Sequence, residues 1–145
     1  MNKEKGFEFL EHTADVYIAA YGRNLAEAFE NAATAMLEVM TELGKVAPEI
    51  EDNVEVEGED EYSLLYSWLE AILIRIEVNQ MLYSKFKIVS IEETRDGLRL
   101  KAKIWGEPFN PEKHPQKVGV KAITYHRMEI IKEADHVVAK FILDI

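Results

Sequence analysis

Two aspartates near opposite ends of the sequence, Asp15 and Asp144, stand where aspartate is unusual. Asp15 opens the apolar run 16–20, and Asp144 closes the apolar run 141–143. Aspartate is depleted in β-strands, and a carboxylate beside a core needs a partner. A cation shared by both carboxylates would supply one, and the α-carboxylate of Ile145 would add oxygen ligands. The alternative is that both aspartates are exposed strand ends that meet solvent or a lysine.

The identity of such an ion depends on which other residues join the two carboxylates. Oxygen ligands alone suit a hard cation such as Ca²⁺ or Mg²⁺. His12 precedes Asp15 by three residues, and its imidazole would shift the preference toward Mn²⁺ or Zn²⁺.

A second group of polar residues lies in the segment 121–126, with Lys121 at its start and His126 at its end. In a regular strand Ala122, Thr124 and His126 share one face. An imidazole in this position usually packs its ring at the edge of a core and bonds a backbone carbonyl. We therefore expect His126 to be structural, with a ligand role as the alternative.

Composition narrows the classes of function. The 145 residues are 48% hydrophobic and 30% charged, which predicts one globular domain over 1–145. The net charge of -10 argues against strong direct nucleic-acid binding. The absence of cysteine excludes thiol nucleophiles and cysteine zinc sites. Neither a signal peptide nor an apolar run long enough for a membrane span is visible, so a cytoplasmic location is expected.

The pattern of turns and apolar residues predicts an α+β fold in the order β-β-α-β-α-β-β-β-β, with two long helices on a largely antiparallel sheet. Asn24 and Asp60 have the residue types and spacing of helix N-caps, and Gly44 is a plausible end for the first helix. Asp96-Gly97 marks a tight hairpin turn. Strands are predicted at 7–10, 15–21, 54–57, 85–94, 98–105, 118–131 and 136–145.

Two further segments have an unusual composition. The acidic stretch 49–61 is predicted to be a solvated edge that discourages strand aggregation, with cation binding as the weaker alternative. The segment 106–117 contains three prolines and is predicted to be a loop. Long loops in compact domains are often functional.

Several separated motifs resemble the archease family. They are His12-Thr13-Ala14-Asp15, the helical run 65–69, Gly106-Glu107 followed by His114, the run 121–126, and Asp144-Ile145. They occur in the family's order over essentially the whole chain. One departure is Tyr17, where the family has a small residue, and this raises a question about the backbone there.

The resemblance implies an accessory protein that is not itself an enzyme. Archeases activate the RtcB-type RNA ligase of tRNA splicing, which is guanylylated on a histidine with GTP and metal. They promote guanylylation and turnover and broaden nucleotide use. The resemblance places the family's metal site, usually associated with calcium, on Asp15, Asp144 and Ile145. It leaves five residues as supporting or partner-facing: His12, Glu107, His114, Lys121 and His126.

Two other functions stay open at this stage. One is a chaperone or specificity modulator of a tRNA-modifying enzyme, such as a tRNA methyltransferase. The other is a metal-dependent hydrolase that uses Asp15, His12 and Asp144. Turnover of a small substrate by the isolated protein would favour the hydrolase, and faster guanylylation of a ligase would favour the activator.

Overall fold

A computed structural model describes residues 6–10 and 15–145 of the chain. In these ranges the helices and strands follow the predicted order, which confirms the α+β class. The strands are β1 (Phe7–Leu10), β2 (Val16–Gly22), β3 (Ile50–Gly58), β4 (Met81–Thr94), β5 (Gly97–Pro108), β6 (Ala122–Lys132) and β7 (Val137–Asp144), and the helices are α1 (Leu25–Met40) and α2 (Glu61–Asn79), with a 3-10 turn at Leu43–Lys45.

The described strands form two sheets, where the sequence had suggested one. Sheet A has the order β1-β2-β7-β6, and sheet B has the order β3-β5-β4. All the strand pairs that form them are antiparallel. Because β2 and β7 are neighbours in sheet A, residues from the two ends of the sequence lie side by side.

The two helices begin where their capping residues predict. The Asn24 side chain accepts a hydrogen bond from the Glu27 amide at 2.9 Å. The Glu27 carboxylate bonds to Arg23, so the reciprocal half of a capping box is absent from α1. Asp60 and Ser63 form a complete box at the start of α2.

The core lies between the helices and the sheets, and Trp68 of α2 joins the two helices in it. Trp68 and Phe29 are fully buried. The Trp68 indole N–H donates to the Phe29 carbonyl at 2.9 Å. This bond satisfies a polar group that would otherwise destabilise the core.

Several boundaries differ from the sequence prediction: β3 begins at Ile50 and β4 at Met81, four residues earlier than predicted in each case, and β5 continues to Pro108, into the predicted loop. Two other differences have a visible physical reason. α1 ends at Met40, because Thr41 takes an extended conformation, and Gly44 falls in the following 3-10 turn. β6 starts at Ala122 and not at residue 118. The Lys117 and Val118 amides donate to the carbonyls of Met40 and Val39, so this part of the chain caps α1.

The acidic segment forms edge strand β3, as predicted for a solvated edge. Its glutamates face the basic side chains of β5. Glu57 bonds Arg99 at 2.9 Å, and Glu51 bonds Lys103 at 3.2 Å. These exposed pairs contribute little individually, but they place charge along the open edge of the sheet.

Candidate functional site

The pairing of β2 with β7 brings Asp15 and Asp144 to the same end of sheet A. Val16 is opposite Leu143 in this antiparallel pair. Continuing the register by one residue places Asp15 opposite Asp144. Opposite residues in antiparallel strands have Cα atoms about 4.5–5.5 Å apart. Two carboxylates far apart in the sequence are therefore neighbours in the fold.

Strand β6 adds Lys121 to this end of the sheet. Ala122 pairs with Asp144, and the Lys121 amide donates to the Asp144 carbonyl at 2.8 Å. Asp144 and Lys121 are exposed, whereas Asp15 and Ile145 are half-buried. The Asp144 carboxylate makes no hydrogen bond or ion pair with the residues that the structure describes. It is open to a ligand.

The donor atoms at this end of the sheet are oxygens. His12 lies outside the described residues. Among residues 6–10 and 15–145 there is no group of three or more His, Asp or Glu side chains placed to hold a metal ion. Asp15 and Asp144 with the main-chain oxygens of Ile145 match the oxygen preference of a hard cation such as Ca²⁺ or Mg²⁺. Ca²⁺ takes about 6–8 oxygen ligands, so water or a partner would have to supply the rest.

His126 lies where β6 departs from regular pairing. The register with β7 is interrupted between Thr124 and Glu129, and Arg127 takes the left-handed conformation with φ 57°. His126 is exposed and has no hydrogen-bond partner among the described residues. The expectation of a structural core-edge histidine is therefore wrong, because the bulge ends the alternation on which it depended.

Aromatic contacts that the sequence did not indicate support the bulge. The Arg127 guanidinium lies over the Tyr17 ring at 4.9 Å. Tyr125 stacks on Tyr66 of α2 with ring centroids 4.5 Å apart. Tyr17 itself pairs regularly with both neighbouring strands, so its departure from the family pattern leaves the backbone of β2 undisturbed.

Glu107 and His114 form a separate cluster at the end of β5. The Glu107 carboxylate accepts from the Ala47 amide at 2.8 Å and lies 2.8 Å from His114 Nε2. Lys113 Nζ lies 2.8 Å from the same carboxylate. The ammonium of Lys113, the amide of Ala47 and the imidazole together lower the pKa of Glu107 to about 2.

The geometry of His114 fixes its role in this cluster. Its Nδ1 accepts from the Asn110 amide at 2.9 Å, so Nε2 carries the proton that is donated to Glu107. The side chain is buried, and its ring stacks on Phe109. A supporting role fits His114, whereas direct contact with a partner does not. The cluster holds the loop after β5 in place. It also includes Ala47, Asn110 and Lys113, which no sequence motif marks.

The Archease protein family model matches residues 7–145. The chain belongs to the archease family. It is 49% identical to the protein archease of Sulfurisphaera tokodaii over 96% of this chain and 98% of the relative. It is 47% identical to that of Methanothermobacter thermautotrophicus over 97% of this chain and 99% of the relative.

Two solved structures share the archease fold. The solution structure of Methanobacterium thermoautotrophicum protein 1598 superposes with a TM-score of 0.85 at 46% identity, over 97% of this chain and 99% of that one. The crystal structure of a Thermotoga maritima archease, described as a possible chaperone, has a TM-score of 0.63 at 19% identity over 94% of each chain. The second likeness is one of fold alone.

In the part of the chain that the structure describes, neither α1 nor α2 is long and apolar enough to cross a membrane.

Proposed function

We propose that this archease activates an RtcB-type RNA ligase of tRNA splicing by promoting its guanylylation and turnover and broadening its use of nucleotides. The observation that carries the proposal is the convergence of Asp15, Asp144 and Lys121 at one end of sheet A in a member of the archease family. These three residues come from three separate motifs of the family pattern.

Asp15, Asp144 and the main-chain oxygens of Ile145 would hold a divalent cation. Oxygen donors suit Ca²⁺ or Mg²⁺, and the resemblance to archeases favours Ca²⁺. When bound, the cation would supply positive charge that offsets phosphate oxygens or carboxylates of the ligase. Asp144 is exposed, so a bound ion would remain accessible to a partner.

The residues of the chain would act by stabilising one state of the ligase. An accessory protein shifts an equilibrium only by its difference in affinity for the two states. The acidic surface, with a net charge of -10, would favour association with a basic RNA enzyme. Lys121, exposed beside Asp144, would form an ion pair with an acidic group of the ligase or with a phosphate.

The experiment is a single-turnover guanylylation assay of the ligase with labelled GTP, with and without this protein. A several-fold rise in the rate, saturating with archease concentration, is the expected result. Serum albumin at equal mass is the control for non-specific stabilisation. An unchanged rate at saturating archease would reject the proposal.

A chaperone of a tRNA methyltransferase is the second candidate. It is favoured by large apolar side chains exposed on α2, where Ile74 and Val78 are 50% and 73% exposed. Exposed apolar surface of this kind suits contact with another protein. Suppression of methyltransferase aggregation, measured by light scattering without any change in ligase guanylylation, would favour this function over the first.

A further inference from the structure

A cleft opens between the end of α2 and the loop after β5, and its lining does not include Asp15, Lys121 or Asp144. Its volume is about 360 Å³, which lies within the range of roughly 300–1,000 Å³ typical of small-ligand pockets. We call it the helix-end cleft. Its apolar walls are Met40, Ile76, Met81, Leu82 and Phe109.

The charge at the helix-end cleft is negative. The C-terminal end of α2 carries the partial negative charge of the helix dipole, and the last turn of α2 contains no basic residue. Glu77, which lines the cleft, is exposed and has no cation within salt-bridge distance among the described residues. The lysine of the lining, Lys117, is already engaged, because its Nζ donates to the Glu38 carbonyl and lies 3.5 Å from the Glu38 carboxylate.

A buried hydroxyl adds a polar site in the wall. Thr41 lines the cleft with 1% of its surface exposed, and its Oγ1 has no hydrogen-bond partner in the described part of the chain. Buried hydroxyls are normally paired. Because this hydroxyl is closed to solvent, a ligand N–H group would satisfy it only after the wall of the cleft opens enough to expose Oγ1.

We propose that the helix-end cleft binds an alkyl cation, a group with a flexible apolar stem and a guanidinium or ammonium head. The stem would pack on the methionine and phenylalanine walls, since Met side chains adapt to varied shapes. The head would face Glu77 and the end of α2. Two sources carry this chemistry: an arginine or lysine side chain of a partner polypeptide, and a free small amine. The inference does not rest on the proposed ligase function.

The test is titration of the protein, labelled with ¹³C on its methionine methyls, with n-butylguanidinium and n-butylammonium. We expect the Met40 and Met81 resonances to shift and saturate in the millimolar range, on the order of 1–10 mM for ligands of this size. Butanol supplies the stem without the charge, and butyrate supplies the opposite charge. Equal shifts with butanol, or no saturable shift with either cation, would overturn the proposal.

Variants separate the role of the charge from that of the shape. Glu77→Gln should weaken binding about threefold, as expected for an exposed charge pair. Thr41→Val removes the unpaired hydroxyl, so it should weaken binding while leaving the folded state as stable as before or more so. Unchanged affinity in both variants would show that neither group contacts the head, contrary to the proposal.

Two glycines provide a matched pair for blocking the cleft. A Cβ added at Gly119, which lines the cleft, or at Gly44, which does not, meets no atom within 4 Å. Gly119→Leu adds a bulky apolar side chain to the lining of the cleft and should weaken binding of the cation, whereas Gly44→Leu should leave it unchanged. Equal loss in both variants would contradict a ligand seated in the cleft.

A second titration, with a peptide, determines whether the cation is a side chain of a partner or a free small amine. A blocked Gly-Arg-Gly peptide presents the same head with a polypeptide backbone on either side. Binding of the peptide as tight as that of butylguanidinium would assign the cleft to a partner's side chain. Binding of the free cation alone would assign it to a small amine.

Discussion

Two acidic sites in this protein look alike in the sequence and differ in the structure. Glu107 is surrounded by donors from Ala47, Lys113 and His114. Asp144 lies on the exposed end of β7 and has no side-chain partner among the described residues. A carboxylate whose oxygens all accept hydrogen bonds or ion pairs stabilises the fold. A carboxylate without such partners, next to another carboxylate, is suited to bind a ligand. The number of partners therefore distinguishes Glu107, which stabilises the structure, from Asp144, which is available to a ligand.

The largest effect is expected at the end of sheet A where the Asp144 carboxylate has no partner among the described residues, which we call the open site. Asp15→Ala and Asp144→Ala should each reduce stimulation of ligase guanylylation at least about tenfold, equivalent to about 1.4 kcal/mol. Asp135→Ala is the matched control, because it removes the same charge from the turn at the other end of β6 and β7. Circular dichroism checks folding. Full stimulation by both variants would show that this site does not activate the ligase. The segment 49–61 and the loop 106–117 would then be the next surfaces to test.

The cluster of Glu107 and His114, which we call the engaged site, should show the opposite behaviour. Its variants should lose stability without a direct loss of function. His114→Ala leaves Glu107 and the Asn110 amide short of a partner and opens a cavity, which should cost about 2–3 kcal/mol in the free energy of unfolding by urea. His136→Ala, at an exposed turn, should cost less than about 0.5 kcal/mol. Equal costs for the two histidines would remove the distinction between the sites.

The pH dependence of stability sharpens the same contrast. The pKa of Glu107 falls from 4.5 to about 2 on folding, so its contribution is fully present above pH 4.5 and is lost as pH falls toward 2. The contribution should be on the order of 2 kcal/mol. The stability difference between the wild type and Glu107→Gln, from urea unfolding at a series of pH values, should shrink over that window. A constant difference would show that the carboxylate is not held as described.

Calcium should act on the open site alone. At a concentration ten times the Kd, Ca²⁺ should stabilise the wild type by about 1.4 kcal/mol, measured as a rise in Tm. Asp144→Ala should show no such rise, and its metal-free stability should equal or exceed that of the wild type, because a charge held near like charges has been removed. A full calcium response in Asp144→Ala would place the ion elsewhere.

The smallest effect is expected from the neighbours of the open site. Lys121→Ala and His126→Ala should weaken ligase stimulation only about two- to fivefold, as for exposed charges at the rim of an interface. Both residues are exposed, so the free energy of unfolding should change by less than about 0.5 kcal/mol. Stimulation equal to that of the wild type would exclude both residues from the interface.

Local features were predictable from the sequence, and long-range ones were less so. Asn24 and Asp60 reveal helix starts because capping depends on the residue and its near neighbours. The division into two sheets and the bulge before Glu129 depend on contacts between distant strands. The buried position of His114 could not be foreseen either, because its partner Glu107 is held in place by the amide of Ala47, which is distant in the sequence. The Asp15–Asp144 pair was predictable because aspartate is rare in strands and because the motifs that resemble archeases include both residues.

The loop between β5 and β6 is fastened along its length. The Phe109 amide bonds the Gln80 carbonyl, those of Lys117 and Val118 bond the end of α1, and that of Lys121 bonds Asp144. Amides in such a loop should resist hydrogen exchange, although loops usually exchange fast. Because these bonds lie on one continuous stretch, they should open as one cooperative unit. Loosening the Glu107 end would then raise exchange at Lys121, beside the open carboxylate, and motion at the two sites would be coupled through the loop.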